Sequence, residues 1–313
     1  MKKHRTYSVI LWGWMCIISI SILGCIGEKT ELPTKGSITI VVSETVLPMI
    51  RQQEEKFESL YTNAHLDIIT ATTREAITRI FNDTIKFIVS SRPLNTEERE
   101  VAKRTQIDFK EYKIAIDGIA VIVNSENTVS RLRTTQLDSI FRGLVTRWTE
   151  VDGKGGSIDV ILPDPNAGEF EIVGVKILGG KRFTERAIAA KSSPDMMKGI
   201  AENPDAIGII GVNWLRDQNE KIRVLELSDP SAPDSLEIKG QYFAPFQAHL
   251  YRGYYPLASE IFIYSRIDMY SVGSGFISFI TSAPGQKIVL SNGMVPVTMP
   301  IRLVELTNRG IKP

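Results

Sequence analysis

Short apolar runs alternate with amphipathic stretches along the chain from residue 35 onward. Continuous apolar runs of about four to eight residues indicate buried strands, whereas apolar residues that recur about every three or four positions indicate helices. These patterns predict strands at 38–42, 66–70 and 87–89, and helices at 48–61, 73–83 and from residue 96 onward. Strands that alternate with helices favour a mainly parallel sheet with right-handed crossovers.

The same alternation continues through the rest of the chain. It predicts strands at 114–124, 158–162 and 206–211, and helices at 135–142 and over 276–280 with 286–290. The length of 313 residues suggests roughly two domains of about 150 residues each. The sequence therefore predicts an α/β protein with two structural units.

The first 24 residues have the pattern of an export signal. Lysines and an arginine at positions 2, 3 and 5 precede a nearly all-apolar run over 9–23, which is shorter than the ~20 residues that span a bilayer comfortably. The run ends in Ile-Leu-Gly-Cys at 22–25, which resembles the lipobox of bacterial lipoproteins, so Cys25 would carry the lipid. Residues 25–35 would then form a tether. The alternative is an uncleaved N-terminal anchor, and both alternatives place the folded part outside the cytoplasm, in the periplasm or at the cell surface.

Composition excludes several other classes. The 37 basic and 36 acidic residues nearly cancel, which argues against nucleic-acid binding. The two cysteines are Cys16, inside the signal, and Cys25, so the mature chain is predicted to contain no disulfide. The two histidines of the mature chain, His65 and His249, have no metal-binding spacing, and neither a nucleophile elbow nor a phosphate-binding loop is present. We therefore expect no enzyme activity, cofactor or metal.

Several motifs resemble one known family. The sequence runs "SSRPLNTEE" at 90–98, "IAIDGIAVIVNSEN" at 114–127, "TTQLDSIFRGLVTRWTEV" at 134–151 and "NPDAIGIIGVNWL" at 203–215. Together with "YYPLASEIFIYS" at 254–265 and "APGQKIVLSNGMVPV" at 283–297, they are similar in order and content to the phosphate-binding, PstS-like branch of the type II periplasmic solute-binding proteins of ABC importers.

This resemblance implies a two-lobed α/β Venus-flytrap fold with two crossover strands. Lobe one would comprise residues 36–117 plus 248–313, and lobe two would comprise residues 118–247. A small anion such as phosphate would lie between the lobes, where strands end and helices begin. The partners implied are that anion and the membrane permease of an ABC importer, and we expect the protein to be a monomer.

The resemblance also implies which residues hold the ligand. Hydroxyls, backbone N–H groups and cations near strand ends suit an oxyanion. The candidate ligand-binding residues are Ser43, Thr45, Thr72, Thr73, Arg74, Lys86, Ser91, Arg92, Asn166 and Gly168.

The sequence departs from the family pattern at four places, namely the turn with Glu44, the turn at 162–171 with Glu169, Lys86 and Arg74. Glu44 and Glu169 place carboxylates at two of the anion-binding turns, and the family's Arg followed by Ser-Gly-Thr is missing from "LPDPNAGEFE" at 162–171. Lys86 replaces an Asp that accepts a hydrogen bond from protonated phosphate, so a Lys86 that faces the cleft would favour fully ionised oxyanions or carboxylates. The fourth departure is Arg74, an additional cation at the second turn.

Two hypotheses follow from these departures. In the first, Arg74, Lys86 and Arg92 rebuild a cationic cleft for a different anion. In the second, Glu44 or Glu169 occupies the former phosphate position from within and pairs with those cations. The scaffold would then serve as a sensor, an adhesion protein or a protein-partner module without oxyanion binding.

Overall fold

A computed structural model of the chain describes residues 32–216, 220–267 and 269–299. The predicted export signal, Cys25 and the tether up to residue 31 lie outside the described residues. The described tether residues form a turn, in which Leu32 pairs with Lys35 immediately before the first strand. Within the described ranges, no helix is long and apolar enough to cross a membrane.

The described part of the chain contains helices and strands that alternate as the sequence predicts. The helices are α1 (Leu47–Leu60), α2 (Thr73–Phe81), α3 (Thr96–Arg104), α4 (Thr134–Phe141), α5 (Gly168–Lys176), α6 (Ser193–Glu202), α7 (Gln247–Tyr251), α8 (Val272–Thr281) and α9 (Ala283–Ser291). The strands are β1 (Lys35–Ser43), β2 (Asn63–Ala71), β3 (Phe87–Ser90), β4 (Lys110–Asn124), β5 (Arg131–Arg133), β6 (Asp159–Leu162), β7 (Ile188–Ala189), β8 (Ala206–Gly211), β9 (Ile222–Val224), β10 (Glu226–Ser228), β11 (Ala258–Ser265) and β12 (Val295–Pro296).

One mixed sheet runs through both lobes in the order β2-β1-β3-β11-β4-β8-β6-β7. Strand β1 is parallel to β2 and β3, and β6 is parallel to β7 and β8. Strand β11 is antiparallel to β3 and β4, and β4 is antiparallel to β8. The expected parallel pairing therefore holds within each lobe, whereas the central strands run antiparallel because they carry the chain from one lobe to the other and back.

The long strand β4 connects the two lobes. Its first part pairs with β11 up to Gly118, and its second part pairs with β8 from Ile119 onward. The backbone N–H of Ile119 donates to the carbonyl of Leu257, where the returning chain passes alongside. The sheet is covered on both faces, which explains why β4 is a nearly continuous apolar run from Ile114 onward rather than an alternating one.

Each lobe has apolar clusters on both faces of the sheet. In lobe one, Ile40 and Val42 of β1 pack on one side with Phe276, and Val41 packs on the other side with Ile77. Lobe two has corresponding clusters on the two faces of β4 and β8. Both lobes are therefore well-packed α/β units, and the space between them is where strand ends and helix starts meet.

Candidate functional site

A cleft lies between the lobes at the carboxyl ends of β1 and β3. Its walls include Ser43, Thr45 and Thr73 from lobe one, and Glu169 and Ser193 from lobe two. The cavity that remains has a volume of about 50 Å³, which is the space of a few water molecules. The lobes are therefore closed on each other.

Three buried side chains form a hydroxyl cluster on the lobe-one wall: Ser43, Thr73 and Ser91. Thr73 Oγ1 lies 2.7 Å from both Ser43 Oγ and Ser91 Oγ, and Ser43 Oγ donates to Ser91 Oγ at 3.2 Å. Their hydroxyl groups come from the ends of β1 and β3 and from the start of α2. Because each hydroxyl can rotate to donate, the cluster could turn its O–H groups toward an anion.

Gly168 brings the first turn of α5 directly onto the hydroxyl cluster. A Cβ atom at this position would collide with Ser91 Oγ and would lie 3.0 Å from Thr73 Oγ1. A side chain at this position would force the Ser91 hydroxyl to move, so glycine lets the N-terminus of α5 cap the cluster from the side of lobe two. The positive end of a helix dipole at this position suits a negative charge.

Glu169 follows Gly168 and carries a buried carboxyl group. Its Oε2 accepts a hydrogen bond of 2.6 Å from Thr45 Oγ1, across the lobe boundary. Burial raises the pKa of Glu169 to about 7, although the bond from Thr45 acts in the opposite direction. A carboxyl group of this chain therefore binds one of the hydroxyls predicted to bind the ligand.

Glu44 makes a second contact between the lobes. Its two carboxylate oxygens accept from the backbone N–H of Ser193 at 3.0 Å and from Ser193 Oγ at 2.8 Å. Ser193 is the first residue of α6, so an acid of lobe one satisfies the N-terminus of a lobe-two helix. Negative charge is stabilising at this end of a helix.

Arg92 makes a third contact between the lobes and is only 3% exposed. Its guanidinium forms a two-pronged pair with Glu98 at 2.7 and 2.8 Å. On the other side, Nη2 lies 2.7 Å from Glu171 of α5. Glu171 also accepts from Asn95 Nδ2 at 2.9 Å, and its carboxylate lies 3.8 Å from Arg74. Two carboxylates of the chain therefore balance the charge of Arg92.

The crossover region forms a buried polar network behind the cleft. Asn213 Nδ2 donates to the carbonyl of Thr45 at 2.8 Å and to Asp117 at 3.3 Å, and Trp214 Nε1 donates to the same Thr45 carbonyl at 3.0 Å. Burial is the main cause that raises the pKa of Asp117 to about 8, and the charge of Glu169 adds to it. Asp117 thus lies in β4, one residue before Gly118, where the pairing with β11 ends.

Comparison with known proteins gives the family. A family model described as a PBP superfamily domain matches residues 27–284, which is more than half of the chain.

The chain belongs to the PBP superfamily.

Relatives of this PBP-superfamily protein confirm its PstS-like character. It is 25% identical over 269 residues to the phosphate-binding protein PstS of Staphylococcus aureus, covering 83% of this chain and 78% of that protein. The PstS of Staphylococcus epidermidis is 24% identical over the same length.

Solved structures confirm the two-lobed fold. A putative phosphate ABC transporter substrate-binding protein from Clostridium perfringens, solved with bound phosphate, has a TM-score of 0.71 at 21% identity, covering 84% of this chain and all of that one. An ABC-type phosphate transport receptor from Vibrio cholerae has a TM-score of 0.64 at 20% identity, with coverage of 84% and 100%. At these identities the likeness concerns the fold.

Most of the predicted site residues of this PstS-like protein lie together. Seven of them line the cleft or its immediate edge, namely Ser43, Thr45, Thr72, Thr73, Ser91, Asn166 and Gly168. The backbone N–H of Arg74 donates to the carbonyl of Asn166 at 3.1 Å, which joins the two lobes. The side chain of Arg74 is half-exposed at the rim, and that of Arg92 points to Glu98 and Glu171.

Lys86 is not brought to the cleft. It is exposed and immediately precedes β3, whereas the cleft lies at the other end of that strand, at Ser91. Five residues at about 3.3 Å each place the two positions roughly 16 Å apart along the strand. The ligand preference argued from Lys86 therefore has no support in the geometry.

Sequence reasoning missed Glu171, Asn213, Trp214 and Ser193. A polar Asn two residues after the glycine-containing strand at 206–211 is a usable signal, because strand ends face the cleft in this fold. Glu171 gave no comparable signal, since it pairs with a residue 79 positions earlier in the chain.

Proposed function

We propose that this PstS-like protein is an extracytoplasmic solute-binding lipoprotein that captures phosphate or a related small anion between its lobes. It would deliver the anion to the membrane permease of an ABC importer. The names of its relatives support the general class of solute-binding proteins. The extracytoplasmic location and the lipid anchor in this proposal rest on the predicted export signal and Cys25. The proposal includes no catalytic role, no nucleic-acid partner and no oligomer.

The hydroxyl cluster carries this proposal. Ser43, Thr73 and Ser91 present three buried donors at one point, and the N-termini of α2 and α5 approach that point from opposite lobes. Three hydroxyls and two helix starts form a site for an anion that does not depend on a free cation. Gly168 keeps the second helix start within reach.

Capture requires the lobes to separate first. The closed cleft holds only about 50 Å³, and Glu169 already accepts from Thr45. An incoming anion would replace this internal carboxyl group at the hydroxyl of Thr45, beside Ser43 of the hydroxyl cluster, and the lobes would close again around it. The free energy of anion binding is therefore the difference between the free energy of the anion's own contacts and that of the contacts that Glu169 gives up.

One observation favours a second candidate function. Thr45, Ser193 and Arg92 already contact three acids of the same chain, Glu169, Glu44 and Glu171 respectively. A cleft that is filled by its own acids could instead serve a sensor, an adhesion protein or a protein-partner module that binds no oxyanion. This candidate predicts a folded protein that remains silent toward small anions.

Calorimetric titration separates the two candidates. Residues 26–313 would be titrated with phosphate, sulfate, molybdate and a dicarboxylate, alongside the variant Gly168→Ala. The proposal predicts one site for at least one anion, weakened at least about tenfold in the variant because its methyl group collides with Ser91. Gly174→Ala on the same helix is the matched control, since its Cβ would make only an ordinary contact of 3.5 Å with Phe183.

The possible outcomes point in different directions. Silence toward all four anions from folded wild-type protein would support the second candidate. Binding that Gly168→Ala and Gly174→Ala leave equally strong would remove the hydroxyl cluster as the site.

A further inference from the structure

Lobe one has an apolar surface at the end where the described chain begins. We name it the basal surface and define it by Leu32, Met269 and Tyr270. Tyr270 is 76% exposed and Met269 is 69% exposed, the highest values among the large apolar side chains of the described residues. Leu32 is 44% exposed. Exposed apolar groups that lie together on a protein surface mark an interaction site.

The start of the described chain and the basal surface are in direct contact. A Cβ atom at Gly275 of α8 would collide with the carbonyl of Pro33, so the two backbones touch. Pro33 and Met269 line one groove of about 340 Å³, together with Lys110. Ser274 Oγ donates to the carbonyl of Met269 at 2.6 Å, which fixes this loop to α8. The basal surface is therefore built around the point where the tether arrives.

The tether limits how far this surface can be from the membrane. This step rests on the proposed lipid anchor at Cys25. Cys25 and Leu32 are seven Cα–Cα steps apart, and an extended chain spans at most about 3.6 Å per step, or about 25 Å in total. An acylated Cys25 therefore holds the basal surface within about 25 Å of the bilayer.

The chemistry of the surface fits the bilayer interface. Tyrosine is enriched at this depth because its ring is apolar and its hydroxyl is polar. Lys35 and Lys110 are exposed beside the apolar side chains and supply cations for lipid phosphates. We propose that the basal surface rests on the lipid bilayer that holds the anchor. Strand β1 leads from this surface to the cleft over nine residues, so the cleft is about 30 Å away from it.

A unique thiol allows a direct test on the lipidated protein. The mature chain has no cysteine besides Cys25, so Tyr270→Cys can be labelled with a polarity-sensitive dye. The protein is reconstituted in vesicles of phosphatidylcholine and phosphatidylglycerol, with and without brominated acyl chains. We expect a blue-shifted emission and quenching by the brominated lipid. Val175→Cys, in lobe two and 65% exposed, is the matched control and stays water-exposed.

Vesicle flotation measures membrane attachment through the anchor independently of contact between the basal surface and the bilayer. If the protein floats but the dye at position 270 is as water-exposed and unquenched as the dye at position 175, the basal surface does not contact the bilayer. That result would refute this inference and would leave the proposed anchor intact. An emission that is already blue without vesicles shows that protein covers the surface, which also overturns the proposal. Protein that does not float refutes the lipid anchor and, with it, this inference.

Discussion

Replacing Glu171 by alanine removes the ion pair that joins α5 of lobe two to Arg92 of lobe one. The carboxylate accepts from Arg92 Nη2 at 2.7 Å and from Asn95 Nδ2 at 2.9 Å. Hydrogen bonds to charged groups contribute about 1.5–3 kcal/mol each. Arg92 keeps its pair with Glu98 in the open form, and Glu171 regains water there, so we take the lower part of this range. Loss of both contacts should therefore destabilise the closed form by about 3 kcal/mol, or about 150-fold in the equilibrium between closed and open lobes.

Spin labels on the two lobes measure this equilibrium. Residues 26–313 have no cysteine, so labels can be placed on the exposed positions Leu60→Cys and Leu144→Cys. We expect one short distance for the unliganded wild type and a longer, populated distance for Glu171→Ala. Glu75→Ala is the control, because Glu75 pairs with Arg79 inside α2 and crosses no lobe boundary. Identical distance distributions for wild type and Glu171→Ala would refute the reasoning, as would an equal opening in the control.

Two further predictions concern pH and the crossover. Burial raises the pKa of Glu169 from about 4.5 to about 7 and that of Asp117 from about 3.8 to about 8. Between the unfolded and the folded pKa of each group, the folded protein therefore binds more protons than the unfolded chain. The contribution of these two groups to stability against urea should therefore be fully present below about pH 4 to 5 and should be lost as the pH rises through about 7 to 8. For Glu169 the loss should reach about 3 kcal/mol. Glu169→Gln should flatten this pH dependence, and an unchanged pH profile would contradict the prediction. Tyr255→Phe removes the bond from the buried hydroxyl to the carbonyl of Ile119 and should cost about 1 kcal/mol in urea unfolding, whereas Tyr251→Phe, on an exposed side chain, should cost nothing measurable.

The strands of the fold follow from the sequence because burial leaves a clear pattern in it. The run over 114–124 is apolar on both faces and predicts the buried part of β4 directly. Its first residues, 110–113, are mostly exposed and polar, so only the pairing with β11 extends the strand to Lys110. The antiparallel direction of that pairing could not be predicted from periodicity, because β11 comes more than a hundred residues later.

The site could be predicted only in part, for a similar reason. The resemblance to the PstS-like family indicated Ser43 and Ser91, and both lie at the ends of apolar strands, where a parallel sheet gathers its polar groups. Lys86 precedes its strand and so lies at the opposite end, which strand direction alone could have indicated. The contacts of Glu171 and Asn213 depend on how the two lobes meet, and no local pattern encodes that arrangement.

Titration of phosphate into wild type and Glu169→Thr, side by side, is the sharpest test of the proposed anion site. In this site the carboxyl group of Glu169 competes with the anion for the hydroxyl of Thr45. The account predicts one phosphate site in both proteins, with at least about tenfold tighter binding in Glu169→Thr, because the competing acid is gone and a hydroxyl is added. A folded monomer that binds no phosphate in either form would contradict the account.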